Sequence, residues 1–144
     1  MCYATPLMKS LLQLLPVIFC AAVFSASPAK ITDINDALAK AKQGNKMLFL
    51  QMGRENCGNC QALKALIKSG RVKLPATKFV YADANCDDAA TMKAFSAKFK
   101  VTGNTLPFVV IASADGTQLA AHSGPGSEAD FNKLIREAEK AAKK

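Results

Sequence analysis

The chain has 144 residues, of which 50% are hydrophobic and 21% charged, a composition that suits one globular domain and excludes a disordered or fibrous protein. Its formal net charge is +8, but the lysines are spread over every segment, Trp is absent and only two Tyr occur. Because the stacking platforms of nucleic-acid-binding proteins are lacking, no nucleic-acid partner is expected. The charge is attributed to solubility or to a loose preference for acidic partners.

The first 29 residues have the pattern of a secretory signal peptide. A single lysine precedes the apolar run SLLQLLPVIFCAAVFSA, and small residues follow it. Cleavage is therefore expected after Ala29 or, as a second choice, after Ala26. We expect residues 30–144 to form one domain that is periplasmic or secreted and has no stable membrane insertion.

Two alternatives use the same apolar segment. One is a membrane anchor through residues 10–26, although Pro16 interrupts this run and it is shorter than the roughly 20 residues that a spanning helix needs. The other is lipid attachment to Cys20, which is disfavoured because bulky Phe19 stands where a small residue normally precedes a lipidated cysteine.

Removal of residues 1–29 takes away one lysine and no acid, so the net charge falls only from +8 to +7. Three cysteines then remain, Cys57, Cys60 and Cys86. Since three is an odd number, at least one thiol has no partner within the chain in a compartment that permits disulfides. A domain of about 115 residues buries a sufficient core without covalent staples, so the cysteines are available for chemistry.

Hydrophobic periodicity predicts eight elements after residue 30. In chain order they are a helix from Thr32 or Asp33 to Gly44, a strand over 47–52, a helix from Cys57 to Gly70, a strand over 78–83, a helix over 87–99 that buries Ala89, Met92, Phe95 and Phe99, strands over 108–112 and 118–122, and a helix capped by Ser127. This order gives a parallel βαβ unit, a hairpin and a closing helix. It predicts an α/β fold with a mixed sheet of about four strands and helices on both faces.

The stretch RENCGNCQALKAL carries two cysteines at the start of the second predicted helix. At a helix N-terminus a thiolate meets unpaired N–H groups and the positive end of the helix dipole, so Cys57 is predicted to be the nucleophile. Cys60 is close enough to attack a mixed disulfide on Cys57 and to release the substrate. The competing interpretations are two inert buried thiols, a static disulfide, or half of a metal site completed by Cys86 and His122, which lacks a second paired motif.

These features together resemble the thioredoxin family over nearly all of residues 31–142. The resemblance lies in MLFLQM leading to CGNC, in VYADANCDD, in FKVTGNTLPFVV and in the final helix. It implies a thioredoxin-like fold and thiol-disulfide exchange without a cofactor or metal. In that family the proline at the position of Pro107 is cis, and the residue before it pairs with extended substrate. The resemblance therefore implies that Leu106, Pro107, Gly58 and Asn59 bind substrate.

The sequence departs from the family pattern at four places. Asn56 replaces the usual Trp before the first cysteine, Gly58-Asn59 replaces Gly-Pro, and the segment 101–107 is two residues longer than usual. Gln51 replaces the buried aspartate that thioredoxins place beneath the second cysteine, where it assists proton removal. These differences favour the diverse exported thioredoxin-like proteins of bacteria over a general thioredoxin.

The resulting functional hypothesis is an exported thiol-disulfide oxidoreductase that exchanges disulfides with cysteines of other proteins through Cys57 and Cys60. It implies a redox partner protein, and oxidation, isomerisation and reduction of substrates all fit the couple. The alternative is a redox-weak binding module of the same fold that holds extended polypeptide segments near Leu106 and Pro107.

Overall fold

The computed structural model describes residues 30–144, so the predicted signal peptide lies outside the described residues. The eight predicted elements are all present in the predicted order. They are α1 (Ile34–Gln43), β1 (Met47–Gly53), α2 (Gly58–Lys68), β2 (Phe79–Asn85), α3 (Ala89–Lys98), β3 (Phe108–Ala112), β4 (Gln118–Ser123) and α4 (Glu128–Ala141). Among residues 30–144, no helix is long and apolar enough to cross a membrane.

The helices begin at residues whose side chains satisfy the free N–H groups of the first turn. Asp33 caps α1, Cys57 caps α2 and Asp88 caps α3, each accepting a hydrogen bond from the residue three positions later. Ser127 and Asp130 form a reciprocal capping box at the start of α4. Local hydrogen bonding thus explains why the helix starts were predictable.

The four strands form one mixed sheet in the order β2-β1-β3-β4. The strands β1 and β2 are parallel, whereas β3 runs antiparallel to both β1 and β4. The helix α2 is the crossover between the two parallel strands, as the predicted βαβ unit requires. The prediction of a mixed α/β sheet is confirmed.

Each face of the sheet covers its own hydrophobic core. One core joins Phe49, Tyr81 and Ile111 to side chains of α2 and α4, including Leu63 and Phe131. The other joins the alternate strand residues to α1 and α3, including Ala37 and Phe95. Because β1 lies at the centre of the sheet and is covered on both sides, residues Leu48 to Gly53 are all buried.

Two details of the prediction are wrong. Ala89 is exposed rather than buried, because it is the first residue of α3 and lies one turn before the side chains that face the sheet. The strand β2 continues to Asn85 instead of ending near residue 83, because its parallel pairing with β1 extends through the pair Gly53 and Asn85. This extension brings the end of β2 to the edge of the sheet where β1 ends.

Candidate functional site

Cys57 lies at the N-cap of α2, where the loop that follows β1 turns into the helix. Its sulfur accepts a hydrogen bond of 3.2 Å from the backbone N–H of Cys60. The neighbouring Asn56, Gly58 and Asn59 are exposed, and Cys57 itself is partly exposed. A donor at the sulfur and the N-terminus of a helix both favour a thiolate at Cys57.

Cys57 and Cys60 form a disulfide, with their Cα atoms 5.2 Å apart. Cys60 lies one turn into α2 and is 0% exposed, so the two sulfurs differ sharply in access. A molecule arriving from solvent therefore reaches Cys57 and not Cys60. This asymmetry is what an attacking cysteine and a resolving cysteine require.

Gly53, the last residue of β1, lies directly beneath Cys60. A β-carbon added at position 53 would stand 2.7 Å from the Cys60 sulfur and 3.1 Å from its Cβ, both closer than ordinary contact. The absence of a side chain at position 53 therefore gives the Cys60 sulfur its space against the sheet.

Gln51 lies on the same face of β1 and is 0% exposed. Its Nε2 donates to the carbonyl oxygen of Cys60 at 3.0 Å, and its Oε1 accepts from the hydroxyl of Tyr81 at 3.2 Å. Burial raises the pKa of Tyr81, and the negative charge of Asp83 raises it further. The groups directly beneath the second cysteine are thus a neutral amide and a neutral phenol.

Asp83 on β2 carries the buried charge nearest to this network. It is 6% exposed, and its Oδ2 contacts Nζ of Lys64 at 2.8 Å and Nζ of Lys30 at 3.2 Å. These three side chains line an open groove of about 680 Å³, which also borders Gly53 and Gln61. The groove thus extends along the edge of the sheet from the ion pairs of Asp83 to Gly53, the residue beneath Cys60.

Cys86 follows β2 and lies at the same edge of the sheet as Cys57. Its backbone N–H donates to the carbonyl of Gly53 at 2.8 Å. The Cys86 sulfur is 3.8 Å from Nη2 of Arg54, which also pairs with Asp87 at 3.2 Å. Residues 30–144 contain no cluster of three or more His, Cys, Asp or Glu side chains arranged to hold a metal ion.

The peptide bond between Leu106 and Pro107 is cis, as the resemblance implied. Phe108 is the register partner of Met52, so Pro107 lies beside the end of β1, from which the chain continues to Cys57. Pro107 is buried and Leu106 is partly exposed. The residues named from the sequence as substrate contacts therefore lie at one end of the sheet together with the cysteines.

The sequence-based interpretation missed Tyr81 and Asp83. The available signal was the strand FVYADAN, in which a charged residue interrupts a run otherwise suited to burial. A buried carboxylate requires partners, and those partners come from the N-terminal segment and from α2.

Comparison with known proteins supports the same architecture. No family model and no curated protein matches the sequence. The solved structures that are similar include thioredoxin f2 in a complex with ferredoxin:thioredoxin reductase, with a TM-score of 0.60 and 15% identity over 78% of this chain and 96% of that chain. A thioredoxin from Schistosoma mansoni has a TM-score of 0.58 and 17% sequence identity over 78% of this chain and 98% of its own. A mutant thioredoxin from Halobacterium salinarum has a TM-score of 0.57 and 17% sequence identity over 78% of this chain and 90% of its own. Residues 30–144 therefore have the thioredoxin fold.

Proposed function

We propose that this protein is an exported thiol-disulfide oxidoreductase that acts on the cysteines of other proteins through Cys57 and Cys60. The observation that carries the proposal is the disulfide between a partly exposed helix-capping cysteine and a buried cysteine one turn later. The thioredoxin fold supports it, because the comparison structures are thioredoxins.

The proposed reaction has two exchange steps. The Cys57 thiolate attacks a substrate disulfide, forms a mixed disulfide and releases one substrate cysteine as a thiolate. The Cys60 thiolate then attacks the Cys57 sulfur and releases the second substrate cysteine, so that the substrate gains two electrons and the Cys57–Cys60 disulfide forms. The same steps run in reverse when the protein oxidises a substrate.

The surroundings of Cys57 are exposed, which supports a protein substrate rather than a small molecule bound in an enclosed pocket. Gly58 and Asn59 are exposed beside the sulfur, and Leu106 is partly exposed at the same end of the sheet. We infer that an extended polypeptide segment binds along Leu106 and Pro107, with its cysteine next to Cys57.

A redox partner protein and export complete the proposal. One structural neighbour was solved as thioredoxin f2 with a reductase, which supports a partner that recharges the couple. The pattern of residues 1–29 supports a signal peptide that is removed to leave residues 30–144 in the periplasm or outside the cell.

Insulin reduction with a dithiol donor tests the proposed function. We expect residues 30–144 to accelerate insulin precipitation, and we expect Cys57→Ser to abolish the acceleration. Cys60→Ser is expected to accumulate mixed disulfides through Cys57, which tryptic mass spectrometry identifies. A protein that only binds extended segments would give no acceleration, and trapping through Cys86 would reverse the assigned roles.

A further inference from the structure

Cys60 poses a chemical problem that its immediate neighbours do not solve. It must lose a proton before it can attack the mixed disulfide on Cys57, yet it is 0% exposed, and burial in apolar surroundings disfavours the thiolate. Gln51 beneath it is neutral and uses its amide N–H to bond the Cys60 carbonyl. An amide has no capacity to accept a proton at neutral pH.

Asp83 is the charged side chain that the described domain buries most deeply, and the exchange steps above leave it without a role. Its ion pairs with Lys30 and Lys64 both end on Oδ2. A carboxylate offers about four lone-pair sites, so the two ammonium groups leave acceptor capacity for water in the groove that Asp83 lines.

The sheet register places Asp83 on the face of the sheet against which Cys60 packs. Asp83 is the direct partner of Gln51 in the parallel pairing of β2 with β1, so the two side chains share the face covered by α2. Gly53 lies two residues further along that face and is in contact with the Cys60 sulfur. Such diagonal neighbours on parallel strands are separated by one strand spacing of about 4.8 Å and two residue rises of about 3.3 Å each, roughly 8 Å in all, and the Asp83 side chain extends over part of that separation.

The helix α2 reinforces this placement. Cys60 and Lys64 are four residues apart and therefore lie on one face of the helix. Cys60 stands over Gly53 while the Lys64 ammonium stands over Asp83, at 2.8 Å. Gly53, Lys64 and Asp83 line one groove, which therefore extends from the carboxylate to the glycine beneath the sulfur.

We propose that Asp83 accepts the proton of Cys60, through water in this groove, when Cys60 attacks the mixed disulfide on Cys57. The proton moves from the Cys60 sulfur to the Asp83 carboxylate, the Cys60–Cys57 bond forms, the bond from Cys57 to the substrate breaks, and the substrate sulfur leaves with the electron pair of that bond. This role rests on the proposed function, because it concerns the resolving step of that reaction.

Several charged or titratable groups face Asp83. They are Lys30 from the N-terminal segment, Lys64 from α2, Tyr81 on its own strand, and Asp33, Arg54 and Glu55 around the groove. Of these groups, Lys64 and Lys30 contact the carboxylate directly, at 2.8 and 3.2 Å.

The pH dependence of the resolving step tests this proposal in the unaltered protein. The reduced domain, residues 30–144, is mixed with glutathione disulfide, and samples are quenched with acid at intervals. Mass spectrometry then follows the conversion of the glutathionylated chain to the internal disulfide. A thiol with a pKa near 8.5 that ionises into bulk water loses about tenfold in thiolate for each pH unit below that value. With Asp83 as acceptor, we expect the resolving rate to be nearly flat between about pH 5.5 and 7.5.

The variant Asp83→Asn and the control Asp87→Asn remove one negative charge each from the same end of the sheet. We expect Asp83→Asn to restore the tenfold slope and to slow resolution at pH 6 by about a hundredfold, with the rate of mixed-disulfide formation nearly unchanged. Asp87→Asn is expected to keep the flat profile. A tenfold slope in the unaltered protein, or a flat profile in a folded Asp83→Asn variant, overturns the proposal.

If Asp83→Asn does not fold, the pH profile of resolution in the unaltered protein still tests the proposal. Failure of the proposed function would appear differently, as an unaltered protein that forms no mixed disulfide with glutathione disulfide or with insulin. Failure of the present proposal alone would leave mixed-disulfide formation intact and change only the pH profile of its resolution.

Discussion

The hydroxyl of Tyr81 and the amide of Gln51 form a buried hydrogen bond of 3.2 Å beneath the second cysteine. The same amide continues to the carbonyl of Cys60 at 3.0 Å, so a chain of neutral groups links β2 through β1 to α2. Gln51 thus has a structural role, because its uncharged side chain hydrogen-bonds the helix to the sheet.

Titration of Tyr81 is the first prediction. Tyr3 and Tyr81 are the two tyrosines of the chain, so residues 30–144 carry a single phenol. Burial, followed by the charge of Asp83, raises its pKa above the ordinary value near 10. In the unfolded chain the phenol ionises at its ordinary pKa near 10, whereas in the folded protein it stays protonated. The contribution of the neutral phenol to the free energy of unfolding is therefore complete below about pH 10 and is lost as the pH rises further. Tyrosinate absorbance should therefore appear only with loss of the native circular dichroism signal; ionisation near pH 10 in the folded protein would contradict the assignment.

The energetic role of the same pair is the second prediction. Tyr81→Phe removes the donor and leaves Oε1 of Gln51 buried without a partner, which costs about 1–3 kcal/mol of unfolding free energy. Gln51→Leu leaves the Tyr81 hydroxyl unpaired and removes the second donor to the Cys60 carbonyl, and it is expected to cost a similar amount. Urea unfolding of both single variants and the double variant measures the coupling. The double variant should be less destabilised than the sum, whereas strict additivity would show that the two groups do not interact.

Packing at Gly53 gives the third prediction. Gly53→Ala places a β-carbon against the Cys60 sulfur, and relief of that clash is expected to cost about 1–3 kcal/mol. Gly58→Ala is the matched control, because no atom lies within 4 Å of an added β-carbon there and the residue begins α2. We expect the control to be neutral or slightly stabilising. Equal melting temperatures for the two oxidised variants would refute the close contact.

The third cysteine is the subject of the fourth prediction. Cys86 is partly buried beside Arg54 and Gly53, and the proposed two-step exchange does not use its thiol. Cys86→Ser should therefore retain nearly the full rate of insulin reduction, in contrast to Cys57→Ser. A loss of more than about tenfold in Cys86→Ser would place this thiol in the electron path.

Local signals in the sequence were sufficient for the elements and for the cysteine pair. The cap at Cys57 and the capping residue Ser127 were predictable because a cap involves only residues three positions apart. Burial of Asp83 was not predictable in this way, since its partners Lys30 and Lys64 come from separate segments of the chain. The hydrogen bond between the Gln51 and Tyr81 side chains depends likewise on the register of β1 and β2. The hydrophobic pattern of each strand alone does not specify that register.

The first described residues are attached to the sheet at the rim of the groove. Ile31 forms a parallel bridge with Ala82, its carbonyl accepts the N–H of Asp83 at 2.8 Å, and Lys30 reaches the Asp83 carboxylate. Because this bridge is parallel, the chain from Ile31 to Thr32 runs in the same direction as β2, towards the end of the sheet where the cysteines lie. Residues 30–32 thus belong to the folded unit, and a domain shortened to begin at Asp33 would lose both the bridge to β2 and one of the two ammonium groups that neutralise Asp83.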